Sequence, residues 1–77
     1  MGKAERRQAL LRAAREVFSA KGYHDAKIDD IVAIARVAKG TFYLYFADKR
    51  SIFVELVDTL FQRIGAAILK VDTRSDV

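Results

Sequence analysis

The chain contains no cysteine, no proline and no tryptophan, and a single histidine among its 77 residues. Without cysteine, neither a disulfide nor a thiolate metal centre can reinforce a core that at this length supplies only about 3–5 kcal/mol of net stability. A reducing interior is compatible with that composition. His24 has Asp25, Asp29 and Asp30 nearby in sequence but no second His or Cys to complete a metal shell, so it is read as a loop residue. There is no Ser/His/Asp order, no carboxylate pair in a recognisable cleft context and no Gly-rich phosphate loop, and neither enzymatic activity nor a cofactor is expected. No apolar run approaches the roughly 20 residues of a membrane span. The start "MGKAERRQAL" is too charged for a secretory signal, and Arg6 stands where a myristoylation signal needs Ser or Thr. What remains is one small soluble domain, expected in the cytoplasm and away from membranes.

Charge of both signs is present, with a formal net of +4. Its distribution says more than its total: six cations face two carboxylates in residues 1–24, and four face one in residues 36–50. Positive charge concentrated at the N-terminus and around the stretch "VAKGTFYLYFADKR" is a footprint for a polyanion.

Helical periodicity organises the chain. Leu10, Ala13, Ala14, Val17 and Phe18 make one apolar face of a first helix from about Ala4 to Lys21, with Gly22 as its stop because glycine takes positive φ freely. Ile28, Ile31, Val32 and Ala35 repeat the spacing in a shorter second helix, where Asp29 and Asp30 suit the positive end of the helix dipole and Lys27 is a poor cap. Arg36, Val37 and Ala38 break the pattern, Lys39 to Phe46 form a third helix, and Asp48 is placed as the N-cap of a fourth that runs to about Leu69. The fold class is therefore all-α: a three-helix helix-turn-helix, homeodomain-like unit over residues 1–57, with the motif at about 27–46, followed by the start of a long fourth helix. Its apolar face continues from Ile52, Phe53, Leu56 and Val57 through Leu60, Phe61, Ile64 and Ile68. A helix of about 22 residues spans roughly 33 Å, more than a three-helix body needs. Residues 58–77 are expected to lead, through a tail frayed from Thr73, into a ligand-binding and dimerisation domain beyond this stretch.

The stretch "AKIDDIVAIARVAKGTFYLYFADKRSIFVEL", with "AAREVFSAKGY" upstream, closely resembles the DNA-binding domain of the tetracycline-repressor (TetR) family over about residues 7–57. The carrying combination is a helix ending in Gly-Tyr, an Ile-rich second helix, then Lys-Gly-Thr-aromatic-Tyr-x-x-Phe and an Asx-Lys pair. The resemblance implies a bacterial transcription regulator, usually a repressor, that binds palindromic double-stranded operator DNA as an all-helical homodimer. It also implies a small-molecule effector that acts only through a C-terminal domain. Three positions depart from the pattern: Arg36 stands at the turn where Gly is common, Val32 at a small-residue position, and Lys27 where Ser or Thr usually caps the second helix. A left-handed Arg36 would cost about 1 kcal/mol.

Candidate site residues follow from the helix Lys39 to Phe46. Phe42 and Phe46, four apart, are core rings that position the helix. Thr41, Tyr43, Leu44 and Tyr45 are the candidate readers, since the first turns of a helix in the major groove present side chains to base edges and phosphates, and by resemblance these four match the family's reading positions. An exposed Leu44 suits a thymine methyl, whereas the plainer reading of Tyr43 and Tyr45 is that they cover the core with wet hydroxyls. Lys39 and Gly40 open the helix, with the ammonium on a phosphate and no side chain at Gly40 to hold the duplex away. Lys49 is expected to clamp a phosphate from the other side and Lys27 to offer its ammonium to another. Lys3, Arg6 and Arg7 are either an arm for the minor groove or, more simply, a solvated helix start, and Arg12 with Glu16 forms an i, i+4 pair. A rival reading is a helical protein-protein interaction module whose partner covers Leu60, Phe61, Ile64 and Ile68.

Overall fold

The computed structural model describes residues 2–75, with side chains through residue 62. Four helices follow one another, α1 (Lys3–Asp25), α2 (Ile28–Ala35), α3 (Lys39–Tyr45) and α4 (Lys49–Ser75), and no strand occurs among the described residues. Also among these, no helix is long and apolar enough to cross a membrane.

The expected stops operate by the expected chemistry. Gly22 interrupts α1 with φ 81° and ψ 162°, a region closed to residues with a Cβ, and the Ala26 N–H then donates to the Gly22 carbonyl at 3.1 Å. A Cβ at Gly22 would meet nothing within 4 Å, so backbone strain and not space demands glycine there. α2 ends on Arg36 in the left-handed conformation, φ 61° and ψ 44°, with the Arg36 and Val37 N–H groups both turned back onto the Val32 carbonyl. Asp48 caps α4: its Oδ1 accepts the Ser51 N–H at 2.8 Å and the Ser51 hydroxyl at 2.9 Å. Those two bonds, the backbone one first, lower the Asp48 pKa from 3.8.

The core is wholly apolar among the described residues. α1 supplies Leu10, Leu11, Ala13, Ala14 and Val17, α2 supplies Ile31, Val32 and Ala35, and Ala26, Phe42, Phe46 and Ile52 complete it. Phe42 and Ile52 are both fully buried, so each contributes about 1.5–3 kcal/mol of apolar burial and together they tie α3 and α4 to the α1–α2 pair. Leu11 and Ala26 were not part of the apolar stripe read from the sequence. Phe18 and Phe53, half-buried, form with Tyr23 an aromatic cluster between α1 and α4, the three centroid separations being 5.2, 5.7 and 4.6 Å.

Two polar expectations resolve differently. Arg7 belongs to α1, pairs with Glu55 of α4 and stacks its guanidinium 5.1 Å from the Phe46 ring centroid, so it is a strut and not part of a loose arm. The expected Arg12–Glu16 pair is not among the ion pairs of the described residues, in keeping with the small energy of exposed pairs. α4 extends past the end expected near Leu69. Leu60 and Phe61 stand 58% and 66% exposed, as the continuing apolar face requires. The fraying expected from Thr73 is not found through Ser75, where α4 is still helical; residues 76 and 77, and the side chains of Ile64 and Ile68, lie outside the described residues.

Candidate nucleic-acid interface

α3 is only seven residues long, too short to be stable alone, and its orientation is imposed by packing. The helix expected to reach Phe46 ends at Tyr45, with Phe46 its extended cap residue (φ −138°, ψ 136°), and Phe42 and Phe46 both point inward at 0% and 5% exposure. On the opposite side Tyr43 is 50% and Leu44 77% exposed, and Leu44 is the most exposed large apolar side chain among the described residues. Thr41 and Tyr45 are half-buried, Tyr45 packed against the core, so the plainer covering role holds for part of its ring. The Tyr43 ring meets Phe42 edge-on, with centroids 5.3 Å apart.

Lys39 and Gly40 are exposed at the start of α3. Gly40 has no positive φ, and a Cβ there would meet nothing within 4 Å, so neither the backbone nor the packing of this chain calls for glycine. The Lys39 ammonium lies 3.0 Å from Asp29 Oδ1 of α2, and this hydrogen bond, with the Asp29 charge behind it, raises the Lys39 pKa above 10.5. The pair thereby spans from the first turn of α2 to the start of α3. Lys27, exposed at that same first turn, has no side-chain acceptor for a capping box, but its N–H donates to Asp30 Oδ2 at 3.2 Å. Asp30 also takes the Lys21 ammonium at 3.1 Å, the leading reason its pKa falls below 3.8.

Lys49 stands apart from the other candidates. Its ammonium donates to the Tyr23 carbonyl at 2.8 Å and the His24 carbonyl at 3.3 Å, and sits 4.4 Å from the Tyr23 ring centroid. It thus closes the carbonyls left open after the Gly22 break and fastens the start of α4 to the end of α1. Sequence spacing could not find that role, although the Gly22-Tyr23 step marked where free carbonyls would fall. Asp29 was likewise read only as a partner of the helix dipole. No group of three His, Cys, Asp or Glu side chains able to hold a metal occurs among the described residues.

A short helix that buries two rings and displays Tyr43 and Leu44, joined to a helix of similar length by a left-handed turn and flanked by lysines, defines a helix-turn-helix unit of the DNA-binding class. Residues 10–56 match the model of "Bacterial regulatory proteins, tetR family". The chain belongs to this family. It is 45% identical over 60 residues to the uncharacterized HTH-type transcriptional regulator YdgC of Bacillus subtilis, covering 78% of this chain and 31% of that protein. It is 42% identical over 60 residues to the transcriptional regulator AcuR of Cereibacter sphaeroides, covering 74% and 27% of the two chains. With the HTH-type transcriptional repressor BepR of Brucella suis it shares 37% identity over 54 residues, 70% of this chain and 26% of that one. The chain therefore spans about a quarter to a third of the length of these relatives. No solved structure matches it.

Proposed function

We propose that this chain binds double-stranded DNA sequence-specifically by laying α3 in the major groove, as the DNA-binding head of a ligand-responsive bacterial repressor. The observation that carries the reading is Leu44: a leucine 77% exposed on a helix whose other face is buried adds little to the core of the described residues, and a thymine methyl is the apolar feature of a major groove. Tyr43, Thr41 and the hydroxyl of Tyr45 supply hydrogen bonds to bases or phosphates. Lys39 and Lys27, both beside the first turn of α2, meet phosphates, and the bare Gly40 lets the duplex backbone come close. Two of the three Lys49 ammonium donors are engaged within the chain, leaving one for a phosphate approached from a fixed position. Repression is supported by the printed name of one relative, BepR. A homodimer on a palindromic operator, residues 1–57 acting as the head, a small-molecule effector bound by a further domain, and action in the cytoplasm complete the proposal.

The test is a two-dimensional NMR titration of the labelled chain with a mixed-sequence duplex at low salt, which tolerates the weak binding of a lone head. Salt-sensitive shifts concentrated on Lys39 to Tyr45, with Lys27 and Lys49, are expected. Shifts confined to Lys3 to Arg7, or absent, would overturn the reading. In that event the exposed Leu60 and Phe61 favour the second reading, a helical module whose partner covers the outer face of α4.

A further inference from the structure

Two carboxylates open α2, both suited to its dipole, and only one of them is hydrogen-bonded to the helix backbone. Asp30 takes the Lys27 N–H and the Lys21 ammonium. Among the described residues Asp29 accepts no backbone hydrogen bond and has one close partner, Lys39, 3.0 Å away; its side chain is 68% exposed. An exposed ion pair of this kind adds little to stability. Its placement matters more, because it neutralises the lysine that α3 would present to a phosphate.

Resting on the DNA-binding reading above, we propose that Asp29 is an autoinhibitory residue that holds the Lys39 ammonium in the free protein and weakens its engagement with a phosphate. A phosphate reaching Lys39 has two outcomes. Either it displaces Asp29, and the complex forfeits the ion pair, or Asp29 stays, and a carboxylate remains within a few Å of the incoming anion. Both lower affinity, and both do so through charge, so the effect is largest at low ionic strength. The pair also reduces the counterion release that a free Lys39 would cause, since the Asp29 charge already offsets that of the ammonium. Asp29 thereby sets how much of the binding is indifferent to sequence. With the Lys39 contribution held down, a larger share of the discrimination falls to Tyr43 and Leu44.

The test is Asp29→Asn, read by fluorescence anisotropy of a labelled mixed-sequence duplex across a series of salt concentrations, with circular dichroism to check that each variant is folded. Asp29→Asn is expected to bind about two- to fivefold more tightly at low salt, the range an exposed pair can yield. The slope of log K against log salt should steepen by up to about 0.9, a change that a merely structural role for Asp29 would not produce. In a Lys39→Ala background the same substitution should give a smaller gain. An unchanged or weaker affinity for Asp29→Asn would overturn the proposal, by showing that Asp29 pre-positions Lys39 or does nothing. Equal gains in both backgrounds would overturn it too, because Asp29 would then act as a general charge. If the wild-type chain shows no salt-dependent binding, the DNA reading fails and this inference with it. If wild type binds and Lys39→Ala weakens it while Asp29→Asn gives no gain, the autoinhibition alone fails.

Discussion

Replacing Arg36 by glycine should make the protein more stable. Arg36 is the one non-glycine residue with positive φ among those described, at φ 61° and ψ 44°. For an L-residue the left-handed conformation costs about 1–2 kcal/mol relative to the right-handed one. Glycine avoids that cost but loses about 0.5–1 kcal/mol more backbone entropy on folding. The difference runs from about 0 to 1.5 kcal/mol in favour of Arg36→Gly, about 0.75 kcal/mol at the midpoints. The Arg36 side chain, exposed and in no ion pair or hydrogen bond among the described residues, gives nothing back when removed. In a domain of this size the midpoint gain raises Tm by about 3–6 °C. Urea unfolding and thermal melts followed by far-UV circular dichroism at neutral pH measure it. Arg36→Ala is the necessary control, since it removes the same guanidinium and keeps the Cβ that makes the conformation costly. If the glycine and alanine variants move together, side-chain loss is the cause and the strain argument is refuted. A destabilised Arg36→Gly refutes it more directly, because the arginine would then hold a contact worth more than the strain. Both variants lose one positive charge, so any difference between them in DNA affinity reports how rigidly the turn must hold α3.

Lys39→Ala should weaken DNA binding on all sequences and lower the salt slope by about one unit while leaving Tm nearly unchanged. Lys49→Ala should lower the slope similarly but also lower Tm, because the Tyr23 and His24 carbonyls lose their donor; a lower Tm with an unchanged slope would mean that Lys49 only fastens helices. Leu44→Ala should alter preference at one or two base pairs in a comparison of single-substituted duplexes, and an equal loss on every duplex would remove Leu44 as a reader. Phe42→Ala should cost about 3–5 kcal/mol, comparable with the whole stability of so small a core, and circular dichroism at 25 °C should show a largely unfolded chain. The Asp30 and Asp48 pKa values are both lowered from 3.8 on folding, so their contribution is fully present above that value and is lost as pH falls through the lower folded values. Tm should therefore hold steady from pH 7 to about 5 and fall below about 4, and Asp48→Asn, which keeps a capping oxygen, should flatten part of that fall.

The apolar architecture was legible in the sequence, and the polar one only in part. Leu10, Ala13, Ala14, Val17, Ile31, Val32, Ala35, Phe42, Phe46 and Ile52 are all buried where helical spacing places them, and Gly22 and Asp48 end and begin helices as their backbone chemistry requires. These are local decisions, or decisions in which one alternative wins by about 2–3 kcal/mol per large side chain. Lysines are different. The spacing of Lys39 and Lys49 around α3 suggested phosphates for both, yet in the free chain one ammonium holds Asp29 and the other holds carbonyls 25 and 26 residues back along the chain. Nothing in a linear pattern separates these outcomes, because an exposed ammonium chooses among carboxylates, carbonyls, rings and phosphates that differ by less than about 1 kcal/mol. Among the described residues no charged side chain is buried, so every ion pair is decided on that shallow scale. The same shallowness is what the proposed DNA-binding surface needs: on that reading a phosphate takes Lys39 from Asp29 because the contact it replaces is weak. On that reading the residues whose partners were hardest to foresee are the ones whose partners are exchanged on binding.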